Sequence, residues 1–409
     1  MPADRDDRTS TLLVSIFGRD QPTITSSLFR QLAAFDATVL DVEKTRTQAQ
    51  VTLTAHITTP GSRPHAEGRL RAAVHDWAAA RELHAEVTPG RARGAESLRG
   101  EHRSHVAVVG HPLTARTTAE ISARIAALGG RIDRISPLAR HPVTAVEFLV
   151  SGVGTTLLRG QLSELARRVG ADLAISEAGL SRKARRLVVM DVDSTLIQDE
   201  VIDLFAHYAG CGAQVEAITA AAMRGELDFT ESLQARVALL AGLDASVVDK
   251  VRADVRLTPG ARTLIRTLQG LGYRVGVVSG GFTQVTDYLA DHLKLDFSAA
   301  NTLEVRAGQL TGRLTGPVVD RPAKARLLAR YAHEAGVPLA RTVAVGDGAN
   351  DLDMLNTAGL GVAFNAKPAV RGSAPATLNV PFLDSLLYLL GIPHEEVVTV
   401  QGDHVLEAG

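Results

Sequence analysis

Two rhythms of apolar and polar positions divide the chain. Over the first 180 residues, short alternating runs are separated by stretches of helical spacing. They predict a strand at 10–17, a helix at about 23–34, two strands through 39–57, a helix at about 64–80 and a strand near 83–87. A Gly/Arg-rich segment at 89–103 has the composition of a solvated linker, and then the order repeats. Strand 105–109 leads to helix 114–128, strands 130–138 and 144–151, helix 156–169 and strand 172–176. The repeats share sequence as well as order, with Leu32-Ala-Ala-Phe-Asp-Ala-Thr-Val39 lying against Ile125-Ala-Ala-Leu-Gly-Gly-Arg-Ile132. Two copies of one βαββαβ module, ferredoxin-like in order, are the expectation.

From about residue 185 the strands alternate with helices, the mark of parallel βαβ units. Candidate strands are 187–191, 274–279, 342–346 and 359–364. The first is an unbroken apolar run, as expected for a strand covered on both faces. An Ala/Leu/Val-rich, mainly helical insertion at 199–255 is placed to cap the strand ends, and Val305-Arg-Ala-Gly-Gln-Leu310 predicts a hairpin turning at Ala307-Gly308. The fold class is α/β, a doubly wound parallel sheet with a helical cap at 185–393, preceded by modules at 9–90 and 104–180.

Charge does not direct the chain to a polyanion: 44 Lys and Arg balance 45 Asp and Glu, so neither nucleic acid nor a membrane is expected as a partner. An anionic substrate needs a local site. The single cysteine, Cys211, excludes an intramolecular disulfide and a Cys-rich zinc centre. The N-terminus lacks an apolar signal core and no apolar run reaches membrane-spanning length, so a cytoplasmic protein is expected. His102 and His105 have a spacing metals use, without a clear third ligand.

Candidate chemistry gathers at the predicted strand ends. Asp191 and Asp193 follow the first strand, where parallel sheets open their ligand crevice. Ser279-Gly280-Gly281 follows the second, at the start of a helix, and suits either phosphoryl oxygens or an ordinary helix cap. Lys324 stands in the first turn of a helix, a position opposed to the helix dipole. Gly346-Asp347-Gly-Ala-Asn350-Asp351 follows the third strand and offers hard oxygen ligands of the kind Mg²⁺ takes. Four carboxylates at two strand ends would repel strongly without a divalent ion.

In these motifs and their order the segment from about 185 to 390 resembles the haloacid dehalogenase-like phosphatases. More narrowly, Asp191-Val-Asp-Ser-Thr-Leu-Ile-Gln-Asp-Glu200 and Phe229-Thr-Glu-Ser-Leu-Gln-Ala-Arg236 resemble the phosphoserine phosphatase branch. The resemblance implies Mg²⁺-dependent hydrolysis of O-phospho-L-serine, with Asp191 as nucleophile and Asp193 as acid and base. Mg²⁺ would be held by Asp191, the Asp193 carbonyl and Asp347, with Asn350 and Asp351 orienting these ligands. Ser279, Gly280 and Lys324 would hold phosphoryl oxygens, Glu200 the ammonium and Arg236 the carboxylate, with Met223 and Phe229 as apolar cover. Judged alone, the last four read as exposed charges and core residues.

The N-terminal modules resemble ACT domains, which commonly bind amino acids. Gly18-Arg-Asp20, between the first strand and helix, is similar to their ligand loop, although Asp20 also suits a helix cap. The second copy keeps Gly110 but has no aspartate two residues later. The resemblance implies a homodimer and serine as an effector. The alternatives are the same chemistry on another phosphomonoester, or an amino-acid sensor with a vestigial site.

Overall fold

The computed structural model describes residues 10–60, 66–90, 102–179, 184 and 186–397, without the side chains of Ser10, Ala66 and Met223. Most of the expected linker, the start of the second helix and the tail beyond 397 lie outside the described residues. Residues 1–100 and 101–409 form two compact units.

In the first, β1 (Ser10–Arg19), α1 (Ile24–Ala33), β2 (Thr38–Thr47), β3 (Gln50–Thr59), α2 (Ala66–Ala79) and β4 (His84–Pro89) follow the expected order. The antiparallel sheet runs β2-β3-β1-β4. Alternate residues Leu12, Val14 and Ile16 of β1 are fully buried, and Ile24, Leu28 and Leu32 bring one stripe of α1 onto them. β1 runs two residues further than its apolar alternation predicts. Pairing of Gly18 with Val51 and Arg19 with Gln50 places Gly18 inside the strand rather than in a loop after it.

The second module, β5 (Arg103–Gly110), α3 (Ala115–Ala127), β6 (Arg131–Ala139), β7 (Thr144–Ser151), α4 (Thr155–Val169) and β8 (Asp172–Glu177), repeats this topology as β6-β7-β5-β8. Thr114 caps α3 by accepting the Thr117 N–H at 3.1 Å. Its sheet is covered on both faces. Val106, Val108, Phe148 and Val150 meet its own helices, while Ala107, Val109, Ala145 and Ala174 join the core of the following domain. That double burial explains the unbroken apolar run of β5. Asp172 ties the two domains: its carboxylate accepts from Thr377 Oγ1 (2.8 Å) and from the Asn379 side chain and backbone N–H (both 2.6 Å).

The following domain begins with β9 (Leu187–Met190), then carries a cap of four helices, α5 (Val201–Ala209), α6 (Gly212–Met223), α7 (Phe229–Ala238) and α8 (Val247–Asp254). The chain continues through α9 (Ala261–Gly270), β10 (Arg274–Phe282), α10 (Thr283–Leu293), β11 (Phe297–Arg306), β12 (Gln309–Thr315) and α11 (Arg321–Glu334). It closes with β13 (Thr342–Gly346), α12 (Leu352–Thr357), β14 (Leu360–Phe364), α13 (Pro368–Ser373), β15 (Ala376–Leu378) and α14 (Leu386–Leu389). Seven strands run in the order β12-β11-β10-β9-β13-β14-β15, parallel except for the β11–β12 hairpin. The hairpin turns at Ala307 and Gly308, both with positive φ (48° and 77°), as a type I′ turn requires.

Two expectations change. The sheet gains β11 and β15, the first half-exposed along much of its length and the second only three residues long, so neither carries a buried-strand pattern. Gly280 and Gly281 close β10 rather than open a helix, because β10 bulges after Val278 and pairs again at Phe282 with Asn301. Asn301 also donates from its side chain to the Gly280 carbonyl at 2.8 Å.

Candidate active site

The central strands β9 and β13 end side by side, and the Asp191 N–H donates to the Val345 carbonyl at 2.9 Å. This register brings the carboxylates on the two following turns together. One oxygen from each of Asp191, Asp347 and Asp351 lies within 4.8 Å of the others. Between Asp191 and Asp351 sits the fully buried Lys324, its Nζ 2.7 Å from Asp191 Oδ2 and 2.7 Å from Asp351 Oδ1. The other oxygens are also held. Asp191 Oδ1 accepts the Val192 N–H (2.7 Å), Asp351 Oδ2 the Gly348 N–H (3.0 Å) and Asp347 Oδ1 the Thr195 hydroxyl (3.1 Å).

Burial, then the neighbouring Asp351 charge, pushes the Asp191 carboxyl well above its usual range, and Lys324 only partly offsets them. Asp347 is pushed up to about 7 by burial and by Asp351. Burial alone would lower the Lys324 ammonium, but its ion pairs with Asp191 and Asp351 hold it above its ordinary value. Three converging carboxylates with one fixed ammonium retain an excess of negative charge. Hard oxygen donors with that excess fit a divalent cation such as Mg²⁺.

Asp193 stands apart from that cluster. Its Oδ1 accepts the Val201 N–H at 2.9 Å, and its Oδ2 lies 3.5 Å from the Ser279 hydroxyl. Burial, then Glu200, raises its pKa to about 7, where a carboxyl can both give and take a proton near neutrality. A Cβ on Gly281 would stand 2.7 Å from Asp193 Oδ2, so that position admits no side chain without moving the carboxyl. Ser279 Oγ is fixed by accepting the Gly281 N–H at 2.8 Å.

The cap completes a cavity of ≈ 180 Å³ over these groups, with Glu200, Phe229, Leu233 and Arg236 in its lining. α7 starts with a reciprocal cap: Asp228 accepts the Glu231 N–H (2.8 Å) and Glu231 accepts the Asp228 N–H (3.0 Å). Phe229, Leu233 and Arg236 then recur at helical spacing on one face. Burial favours loss of the Arg236 proton, opposed by the field of Glu200 and Asp203. Glu200 stands at the residue before α5 without capping it through its side chain, and instead accepts the Ser194 hydroxyl at 2.7 Å. Ser194 has φ 54°, a conformation costly for a residue with a Cβ. Asn350 and Gly280 also line the cavity, whereas the Met223 side chain lies outside the described residues.

Sequence reading gave no separate role to Thr195 or Leu233, and did not foresee the Ser194–Glu200 bond or the packing of Gly281 against Asp193. Leu233 was accessible from helical spacing, but the others depend on how two turns meet. Within the first unit, the Asp20 carboxylate lies 3.4 Å from Lys44 Nζ and 3.5 Å from Arg46 Nε on β2. Gly18 has φ 150°, and a Cβ there would press on Leu83. At Gly110 a Cβ would stand 2.8 Å from Leu113 Cα. His105 pairs with Glu147 at 2.8 Å, and neither His102 nor His105 joins a metal-type cluster among the described residues. No described helix is long and apolar enough to cross a membrane.

The haloacid dehalogenase-like hydrolase model matches residues 188–356, and two ACT-domain models match 10–88 and 103–176. A phosphoserine phosphatase of Streptomyces coelicolor is 63% identical over 97% of this chain and 96% of its own length. Phosphoserine phosphatase SerB2 of Mycobacterium tuberculosis is 46% identical over 95% of this chain and 94% of its own. Among solved structures, a HAD family hydrolase of Salmonella enterica serovar Typhi aligns at TM-score 0.59 and 28% identity, covering 70% of this chain and 98% of that one. The chain belongs to the phosphoserine phosphatase family of haloacid dehalogenase-like hydrolases, with two ACT domains ahead of its hydrolase domain.

Proposed function

We propose that this protein hydrolyses O-phospho-L-serine to L-serine and phosphate, the last step of serine biosynthesis, through a phosphorylated Asp191. The observation that carries the reading is the meeting of two sets of groups in one cavity. Asp191, Asp193, Asp347 and Gly280 line its floor, and Glu200 and Arg236 enter from the cap. One set suits a phosphoryl group and the other an α-amino acid.

Asp191, Asp347 and the Asp193 main-chain carbonyl would hold Mg²⁺, and Asn350 and Asp351 would orient those ligands. When bound, the ion offsets repulsion between the carboxylates and the phosphate dianion. Asp191 attacks phosphorus while a protonated Asp193 gives its proton to the departing serine oxygen. The P–O bond to serine breaks as the Asp191–phosphorus bond forms. Asp193, now a carboxylate, takes a proton from water, whose oxygen attacks phosphorus and frees Asp191 and inorganic phosphate. Lys324, Ser279 and the Gly280 N–H hold the phosphoryl oxygens as charge shifts between them. Glu200 pairs with the substrate ammonium and the Arg236 fork with its carboxylate, while Phe229 covers the site.

In this reading 185–393 is the phosphatase domain, and 9–90 and 104–180 are regulatory ACT domains in a cytoplasmic homodimer. Serine acts at Gly18 and Asp20, with Gly110 as the corresponding position of the second copy. Phosphate release from L-phosphoserine with Mg²⁺ is measured against a panel of phosphomonoesters, with Asp191→Asn as control. Selective release lost in the variant supports the proposal. Preference for another phosphomonoester would overturn the substrate assignment, and no release at all would favour an amino-acid sensor.

A further inference from the structure

A second cavity, of ≈ 550 Å³, opens where the second ACT domain meets the hydrolase domain. Both walls belong to the unit of residues 101–409. Its position relative to the sheet is distinctive. Arg186 immediately precedes β9 and Arg341 immediately precedes β13, so the cavity lies at the amino ends of the strands whose carboxyl ends carry Asp191 and Asp347. Asp347 stands six positions beyond Arg341, which at strand rise is about 20 Å. The cavity is therefore not an extension of the catalytic one.

Its charge is one-sided. Among the described residues, the ionisable side chains in its lining are Arg159, Arg186, Arg341 and Glu177, an excess of two positive charges in a chain whose formal net charge is −1. Arg159 rises from α4 and donates from Nη2 to the Ile175 carbonyl at 3.2 Å, which holds its guanidinium at the seam. Hydroxyls of Thr156 and Ser176 add neutral polar groups, while Ile175, Leu360 and Leu389 supply an apolar wall. A smaller cavity of ≈ 150 Å³ shares Arg159, Ile175 and Leu360 with it and extends the groove toward Pro375. Guanidinium forks favour planar or tetrahedral oxyanions, and the volume falls in the range of small-molecule pockets.

We propose that this seam is a second ligand site, distinct from the catalytic cavity, for a small molecule carrying a phosphate or carboxylate group on a partly apolar body. Arg159 and Arg341 hold the anionic group across the domain boundary. The ligand spans α4 and β8 on one side and the approaches to β13 and β14 on the other. It leaves the substrate cavity sterically open.

The test titrates inorganic phosphate, and separately malonate, into the full-length protein by calorimetry. Ser279→Ala weakens phosphate binding at the catalytic cavity and isolates the seam. The expected result is a binding event that persists in Ser279→Ala and weakens tenfold or more in Arg159→Ala/Arg341→Ala. The single reversal Arg341→Glu gives the same loss should the double variant fold poorly. Phosphate binding identifies a phosphorylated ligand class, and malonate binding alone a carboxylate class. Either supports the site if the arginine variants abolish it. Absence of any event beyond the one removed by Ser279→Ala, or an event unchanged in both arginine variants, overturns the proposal.

Discussion

Lys324→Met removes a charge while nearly keeping a volume, at a position with no solvent exposure. The ammonium makes two ion pairs of 2.7 Å, to Asp191 and Asp351. Breaking a buried pair from one side costs about 3–5 kcal/mol, because the abandoned charge keeps its desolvation penalty. Here two carboxylates lose one shared partner, while proton uptake relieves part of the penalty. Asp193 and Asp347 are already raised to about 7, and Asp191 lies well above its usual range. Groups raised in the folded state favour folding below their unfolded pKa, and that contribution is lost as pH rises through the folded value. The variant is therefore destabilised by about 3–5 kcal/mol at pH 8 in EDTA, and by less at pH 6, where the cluster takes up protons. Mg²⁺ recovers part of the loss at pH 8. Urea unfolding at both pH values, with and without Mg²⁺, measures all three. A loss below about 1 kcal/mol at pH 8, or an equal loss at both pH values, would refute the view that Lys324 offsets carboxylate repulsion.

Glu200→Gln and Arg236→Ala each raise KM for phosphoserine by about 10- to 100-fold, the worth of one charge-assisted contact, with much smaller effects on a phosphomonoester lacking the amino-acid group. Steady-state kinetics on both substrates decides this. Mg²⁺ binding at pH 7 releases protons, since without metal its proposed ligand Asp347 is raised to about 7 and Asp191 lies well above its usual range. Affinity consequently falls below neutrality, and calorimetry in buffers of different ionisation enthalpy reads the proton count. Gly281→Ala lowers kcat about 100-fold with little loss of stability, because its Cβ displaces the Asp193 carboxyl from 2.7 Å away. Unchanged kcat would show that Asp193 has room to move.

Much of this site was legible in the sequence because the chemistry follows buried parallel strands directly. Asp191 and Asp347 each stand one residue beyond such a strand, so an apolar run and a polar turn locate them. Lys324 was visible as a cation opposing a helix dipole, but its complete burial was not, since that depends on carboxylates arriving from β9 and after β13. Asn301 escaped notice for a similar reason. It accepts the Val319 N–H at 2.8 Å and donates to the Gly280 carbonyl, bonds that exist only once β11 lies beside β10. The clasp of Asp172 on Thr377 and Asn379 joins residues more than 200 positions apart. Strand β15 is too short for any periodic signal.

The most direct test of the account is to trap the phosphorylated enzyme. The protein is mixed with radiolabelled phosphoserine and Mg²⁺, quenched in acid within a turnover and digested. The account predicts label on the peptide containing Asp191, absent in Asp191→Asn and chased by unlabelled substrate. Phosphate release without labelled protein, or label on another residue, would contradict it.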